Sequence, residues 1–315
     1  MKLFLGVDGG QSGTMALVGD ETGLVLGAGE AGPCNHAAAG EGRAKLERAV
    51  RGSVEAACAD AGLNAAAVRF EAACFGMSGG PDDKREIVAG ILKAGHLEVT
   101  TDAAIALTGA TGGGPGIIVI AGTGSIALGR DAEGRQARAG GWGYIFGDEG
   151  GAFSIGRQAL RAALRMEEGW GPDTSLRAML LEATGAATIN EVLHLFYTPD
   201  WPRSRVARLA AEVDRAAQNS DAVAQKILTQ AAQELALLVA AVREQLFQTG
   251  ELVEVSYIGG VFESRTVLER FRLLVELEDG AQVMAPRFGP AEGALLQAFR
   301  RAGVTAQLQP KGSAL

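Results

Sequence analysis

Two short stretches carry most of the chemistry open to this chain. Asp8-Gly9-Gly10-Gln11-Ser12-Gly13-Thr14 follows one apolar run, and Gly122-Thr123-Gly124-Ser125 follows another. Gly/Ser/Thr loops at strand-to-strand turns present converging backbone N–H groups that bind anions such as phosphate. Glycine lets the ligand approach the backbone closely. Either loop alone reads first as an ordinary tight hairpin; their repetition turns the reading to phosphate binding. Strand, Gly/Ser/Thr loop, strand and Asp-x-x-Gly turn (Asp20 to Gly23, Asp131 to Gly134) occur once in each half. Such a duplication predicts two loops gripping one polyphosphate from both sides. No Gly-Lys pair occurs in the chain, which excludes a Walker A loop, and no G-x-G-x-x-G opens a helix after a strand. Neither loop holds a basic residue. Charge neutralisation is therefore expected from backbone dipoles and Mg²⁺, with Asp8 as a metal ligand or simply as a turn former before glycine.

The elements that must position these loops read as short apolar runs. Strands are predicted at 3–7, 15–18 and 24–26, then at 70–75 and 97–100, with a helix between them whose inner face is Leu46, Val50, Val54, Ala57 and Ala61. Asp102 opens an alanine-rich helix, where the N-cap is the usual role for aspartate. Gly112-Gly113-Gly114-Pro115 marks a domain boundary. Beyond it come strands at 117–120 and 126–128, helices near 150–168, 174–184, 203–217 and 221–248, a strand at 253–258 stopping at Gly259-Gly260, and a final helix containing 293–299. Residues 307–315 read as a frayed tail. The chain is thus expected to be α/β, with domains at 1–111 (completed by a helix at 290–305) and 112–289, and a tail at 306–315.

Composition removes several classes. Glycine supplies 45 of 315 residues, roughly twice the usual share, yet there is no collagen period, and 47% hydrophobic residues against 21% charged argue against disorder. A net charge of -8 without a basic stripe argues against nucleic acid. Cys34, Cys58 and Cys74 are too sparse for a disulfide framework and suggest a reducing compartment. The apolar run 235–242 is bounded by Glu234 and Arg243, too short for a bilayer. The first apolar run meets Asp8 too early for a signal peptide. A cytoplasmic protein with no membrane or nucleic-acid partner is expected.

Three further segments give these loops a family likeness: Cys34-Asn35-His36, Thr100-Thr101-Asp102-Ala103-Ala104, and Gly140-Gly141-Trp142-Gly143 running to Gly147-Asp148-Glu149-Gly150. With the two loops, they resemble the N-acetylglucosamine kinase branch of the BadF/BadG/BcrA/BcrD ATPases, in the actin/hexokinase/Hsp70 superfamily. The resemblance implies a duplicated ribonuclease H-like (actin-like ATPase) fold of two domains around a central cleft. It implies ATP and Mg²⁺ as cofactors and phosphorylation of the 6-hydroxyl of an amino sugar, N-acetylglucosamine first and glucosamine or N-acetylmuramic acid next. It further implies a homodimer. Asp102 is then a general base as well as a possible cap, and Asn35, Gly141, Trp142 and Asp148 contact the sugar, Trp142 being otherwise a core residue. Gly9, Gly10, Gln11, Ser12, Gly122, Thr123 and Gly124 hold phosphate. Gly259 and Gly260 form either an adenosine loop or a plain strand-to-helix turn. Ala37 stands where the mammalian branch carries tryptophan, which leaves a less bulky sugar wall. The CXCGXXGC signature of ROK sugar kinases is absent. Two alternatives come from the same reading: an iron–sulfur ATPase activator of a 2-hydroxyacyl-CoA dehydratase or benzoyl-CoA reductase, and a non-catalytic sugar sensor. Cys58 and Cys74 fall in core patterns, against the first.

Overall fold

The computed structural model describes residues 1–10, 13–34, 42–79 and 84–309, and they form the same sheet twice. The chain begins with an antiparallel set, β1 (Leu3–Gly9), β2 (Thr14–Asp20) and β3 (Val25–Ala31), followed by α1 (Gly42–Asp60), β4 (Arg69–Met77), α2 (Arg85–Ala89), β5 (Lys93–Thr101) and α3 (Asp102–Thr111). The second half repeats the antiparallel set as β6 (Gly116–Ala121), β7 (Ser125–Arg130) and β8 (Gln136–Gly140). A helical insertion follows: α4 (Ala152–Glu167), α5 (Leu176–Thr184), α6 (Ile189–Leu195), α7 (Arg203–Ala207), α8 (Leu209–Gln218) and α9 (Ala222–Leu246). The chain then forms β9 (Val253–Ile258), a 3₁₀ turn at Gly260–Glu263, α10 (Arg265–Val275), β10 (Ala281–Met284) and α11 (Pro290–Arg301). Strand order is β3-β2-β1-β4-β5 in one sheet and β10-β9-β6-β7-β8 in the other. Read from matching edges the two orders are identical. Two compact units result, Met1–Gly114 with Pro286–Leu315, and Pro115–Ala285.

In unit 1 the central strands are buried on both faces, which is why they read as continuous apolar runs. Phe4, Ala72 and Cys74 pack with Leu295 and Phe299 of α11, while Leu5, Val7, Ala73 and Phe75 pack with Val50 and Val54 of α1. Alternate residues serve opposite layers, as the pleat requires.

Register decides what the strand ends bring together. Parallel pairing sets Asp8 beside Gly76 and Gly9 beside Met77, and Gly76 beside Thr100 and Met77 beside Thr101. Asp8, its loop and Asp102 therefore leave the sheet at one end. In unit 2, Ile120 pairs with Ile258, so Gly122 and Gly259 leave the carboxyl ends of neighbouring strands. Open α/β sheets bind ligands at this end.

Several expectations change. The helix expected over 203–217 is two, α7 and α8, meeting at Arg208, which keeps helical angles (φ -61°, ψ -23°); no glycine or proline marks the break. Residues 307–309 are not frayed: Gln309 N–H donates to Gly23 O at 2.9 Å and Gln309 O accepts from Val25 N at 3.1 Å. Edge strands β8 and β10 lack an apolar run because no residue of β8 is fully buried and only Val283 of β10 is. No described helix is long and apolar enough to cross a membrane.

Candidate active site

At the strand ends of unit 1, Asp8 is the next-to-last residue of β1, its carboxyl pushed up to about 6, by burial first and then by the charges of Asp102 and Glu292. Its loop is pinned on two sides: Cys34 N donates to Gly10 O at 3.0 Å and Ser78 N to Gly9 O at 3.0 Å. Thr14 Oγ1 donates to Gly32 O at 2.8 Å. A Cβ on Gly9 would lie 2.4 Å from Met77 Sδ, so a larger residue there would have to displace the Met77 side chain on β4. Gln11, Ser12 and Asn35 lie outside the described residues. Burial pushes the Cys34 thiol up, while Thr14 and the fully buried Lys84 pull the other way. Lys84 was not singled out from the sequence, where it reads as one charge in a polar turn.

The N-cap of α3 is Thr101, whose hydroxyl accepts from Ala104 N at 3.2 Å. Asp102 is the first helical residue, with Oδ1 accepting from Ala103 N at 2.9 Å. The capping role expected of Asp102 therefore falls to Thr101, because the upstream hydroxyl has the extended backbone that a cap needs. Helix α3 is in turn held by α11: Gln297 Nε2 donates to Thr108 Oγ1 at 2.7 Å and to Ala104 O at 3.3 Å.

In unit 2, the loop after β6 is tied to the chain entering α4. Ala152 N donates to Gly122 O at 2.9 Å and Phe153 N to Thr123 O at 3.1 Å. Ser125 Oγ donates to Glu149 O at 2.5 Å. Asp148 sits inside this knot, 5% exposed, with a left-handed φ of 64° that is uncommon outside glycine. Its Oδ1 accepts from Ser125 N at 3.4 Å, and its Oδ2 accepts from Arg203 Nη2. A Cβ on Gly124 would come within 2.4 Å of that carboxylate; glycine is required there to admit Asp148 rather than by a turn. Gly141 N donates to Ser125 O at 2.9 Å, which joins the segment 140–147 to the same loop. Trp142 is 67% exposed under the Arg138 guanidinium at 4.7 Å. The core role open to it is not observed, because the positive φ of Gly140 and Gly141 turns the chain outward.

A cavity of about 680 Å³ lies in this unit, lined by Gly122, Thr123, Ser204, Arg208, Asp214 and Gly260 among others. Its size falls within the ordinary range for small-molecule sites. A Cβ on Gly122 meets nothing within 4 Å, so a ligand can reach that backbone. Gly259, at φ 109°, would place a Cβ 2.3 Å from Ala121 O, which locks the exits of β6 and β9 together. Arg203, Arg208 and Glu292 escaped the sequence reading. Arg203 and Glu292 act on partners distant in the chain, Arg208 lines the cavity, and no local pattern marks any of them.

The sequence profile of the BadF/BadG/BcrA/BcrD ATPase family matches residues 5–298. An N-acetylmuramic acid/N-acetylglucosamine kinase of Clostridium acetobutylicum is 36% identical over 65% of this chain and 69% of its own. An N-acetyl-D-glucosamine kinase of Dictyostelium discoideum is 30% identical over 95% of this chain and 98% of its own. Among solved structures, one from Chromobacterium violaceum, provisionally assigned as an N-acetylglucosamine kinase, superposes with a TM-score of 0.73 at 28% identity over 94% of this chain and 98% of the other. A ROK family glucokinase from Streptomyces griseus, TM-score 0.55 at 18% identity over 94% and 98%, shares the fold. With a duplicated sheet, glycine loops at both sets of strand ends and a profile match over nearly its whole length, the chain belongs to the BadF/BadG/BcrA/BcrD ATPase family.

Proposed function

We propose that the protein transfers the γ-phosphoryl group of ATP to the 6-hydroxyl of an amino sugar, N-acetylglucosamine first, with N-acetylmuramic acid and glucosamine as further acceptors. The observation that carries this reading is the position of Asp102. It lies at the strand ends of unit 1 beside Asp8, and Thr101 relieves it of capping. Asp102 accepts the proton of the 6-hydroxyl as that oxygen bonds to the γ-phosphorus and the bond to the departing ADP breaks. Phosphoryl transfer asks mainly for such positioning and for charge stabilisation. Gly122, Thr123 and Gly260, which line the unit 2 cavity, hold the nucleotide together with the adjoining Gly124 and Gly259. Asp148 and the 141–142 segment take the sugar. Similarity to the two curated kinases supports the substrate class. The cysteines do not favour a cluster-bearing activator: all three are buried, Cys58 in α1, Cys74 in β4 and Cys34 in the segment after β3.

Mg²⁺ fits Asp8. Among the described residues no trio of acidic, histidine or cysteine side chains is gathered to cage an ion, and Mg²⁺ typically takes one or two carboxylates, retaining waters and substrate phosphates. The charges of Asp102 and Glu292 both disfavour the ionised form of Asp8, which a bound cation would relieve. When bound, the ion neutralises phosphate charge.

The raised Asp8 carboxyl has a consequence for stability. Between its ordinary value of 3.8 and about 6 the folded protein keeps a proton that the unfolded chain has lost. This contribution to stability is present below 3.8 and is lost as pH rises through 6. The unliganded protein is expected to lose at most about 3 kcal/mol across that window, while Asp8→Asn flattens the profile and abolishes the extra stabilisation by Mg²⁺ at pH 7. Thermal melts from pH 4 to 7 check this; an Asp8→Asn profile as steep as the wild type would remove Asp8 as the cause.

The substrate assignment is tested by coupled ADP release with N-acetylglucosamine, glucosamine, N-acetylmuramic acid, N-acetylmannosamine and glucose. N-acetylglucosamine is expected to give the highest kcat/KM. No sugar-stimulated ADP release from any of the five would end the kinase reading.

A further inference from the structure

Arg203 is placed with unusual care for a residue that the phosphoryl-transfer scheme does not use. Trp201, 6% exposed, stacks on Phe196 with ring centroids 6.0 Å apart and lies under the Arg205 guanidinium at 4.2 Å. Pro202 then starts α7 with extended backbone, φ -63° and ψ 161°. Together they fix where Arg203 leaves the chain. Its guanidinium lies over Tyr144 at 5.1 Å and Phe153 at 5.8 Å, two rings that pack edge to face at 5.1 Å. Aromatic faces hold a planar guanidinium in a way that an ammonium cannot match. From there Nη2 donates to Asp148 Oδ2.

Two features of this arrangement oppose folding. Arg203 Nε is buried with no hydrogen-bond partner among the described residues, and buried donors without partners are costly. Asp148 carries the left-handed backbone, φ 64°. Such costs gather where function demands them. A carboxylate offers about four acceptor sites; Ser125 N and Arg203 Nη2 each take one, on different oxygens. The carboxylate is thereby held at both oxygens with acceptor capacity to spare.

We propose that Arg203 is a positioning residue for sugar recognition, holding the Asp148 carboxylate in the one orientation from which it can receive paired sugar hydroxyls. The inference rests on the sugar-contacting role of Asp148 in the function proposed above. It separates Arg203 from its neighbours Ser204 and Arg208, which line the cavity assigned to the nucleotide.

The test is steady-state kinetics of the full-length protein with N-acetylglucosamine and ATP, comparing wild type, Arg203→Met, Arg203→Lys, Asp148→Asn and the Asp148→Asn/Arg203→Met double variant, with melting temperatures for each. Arg203→Met is expected to raise the sugar KM roughly tenfold or more, the effect of one lost charge-assisted hydrogen bond. Its ATP KM should stay within about a factor of two, as expected where only sugar binding is touched. Arg203→Lys should recover only part of the loss, because charge without the planar fork does not restore the geometry. The double variant should be no worse than Asp148→Asn alone within about a factor of three, since both act through one carboxylate. A rise in the ATP KM alone, equal rises in both, or additive losses in the double variant would overturn the proposal. A wild type that phosphorylates no amino sugar sinks the kinase reading and this inference with it. Normal wild-type turnover with an unchanged sugar KM in Arg203→Met sinks this inference alone.

Discussion

Asp102→Asn is expected to lower turnover by roughly two to four orders of magnitude, the range spanned by loss of a general base, while sugar binding and the fold survive. The fold survives because Thr101, not Asp102, supplies the cap of α3. An asparagine carbonyl can still accept from Ala103 N, the bond Asp102 Oδ1 makes at 2.9 Å. Losing a negative charge at the helix start costs about 0.3–1 kcal/mol. The same loss relieves Asp8, whose carboxyl is held up to about 6 in part by Asp102. Above that pH, where Asp8 is ionised in the wild type, the two effects oppose each other, so the variant should melt close to the wild type at pH 7. A residue whose removal destroys activity without destabilising the protein is kept for function. Coupled ADP release gives turnover, and calorimetric titration with N-acetylglucosamine gives binding. Turnover within about fivefold of wild type would place the base elsewhere, well short of the general-base range.

What the sequence discloses and what it hides divides along chain distance. The two glycine loops, the repeat and the strand that each loop follows are local patterns, and they appear where the residues put them. Helix α6 starts on a cap that the sequence reading passed over, with Thr188 Oγ1 accepting from Glu191 N at 3.2 Å and Glu191 Oε2 accepting from Ala187 N at 2.8 Å. The choice between Thr101 and Asp102 as cap was not legible, since both types serve and only backbone angles separate them. Asp148 and Arg203 stand 55 residues apart, and Glu292 reaches the field of Asp8 from the far end of the chain. Burial and charge at a site are sums over neighbours that the topology alone assembles. Even the glycine surplus was only half legible: Gly122 faces open space, but Gly124 is glycine because of Asp148.

The clearest case of a hidden constraint is Gly293, and it carries the largest structural effect expected here. Alanine is favoured over glycine inside a helix by about 0.8–1.0 kcal/mol, so helix propensity alone makes Gly293→Ala stabilising. The structure reverses the sign. A Cβ on Gly293 would sit 1.9 Å from Ile105 O and 2.5 Å from Gly109 N. The neighbour in each case is backbone, which cannot swing aside as a side chain can. Gly109 meets α11's start in the same way, its Cβ falling 2.2 Å from Gly289 O, so α3 and α11 touch main chain to main chain. Room for a methyl group requires the helices to part by about 1.5 Å before ordinary contact distances return. That separation breaks the 2.7 Å bond from Gln297 to Thr108 and carries Asp102, the first residue of α3, away from its place. Gly293→Ala should cost about 3 kcal/mol, the upper end of overpacking, and lower the melting temperature by roughly 10 °C for a unit of this size. Because misplacement by 1 Å costs about a hundredfold in rate, turnover should fall in the fraction that remains folded. Gly32→Ala is the control: its Cβ meets nothing within 4 Å, and its stability should stay within about 0.5 kcal/mol of wild type. If Gly293→Ala melts with the control, the two helices are not packed as closely as described, and α11 does not hold Asp102 in place.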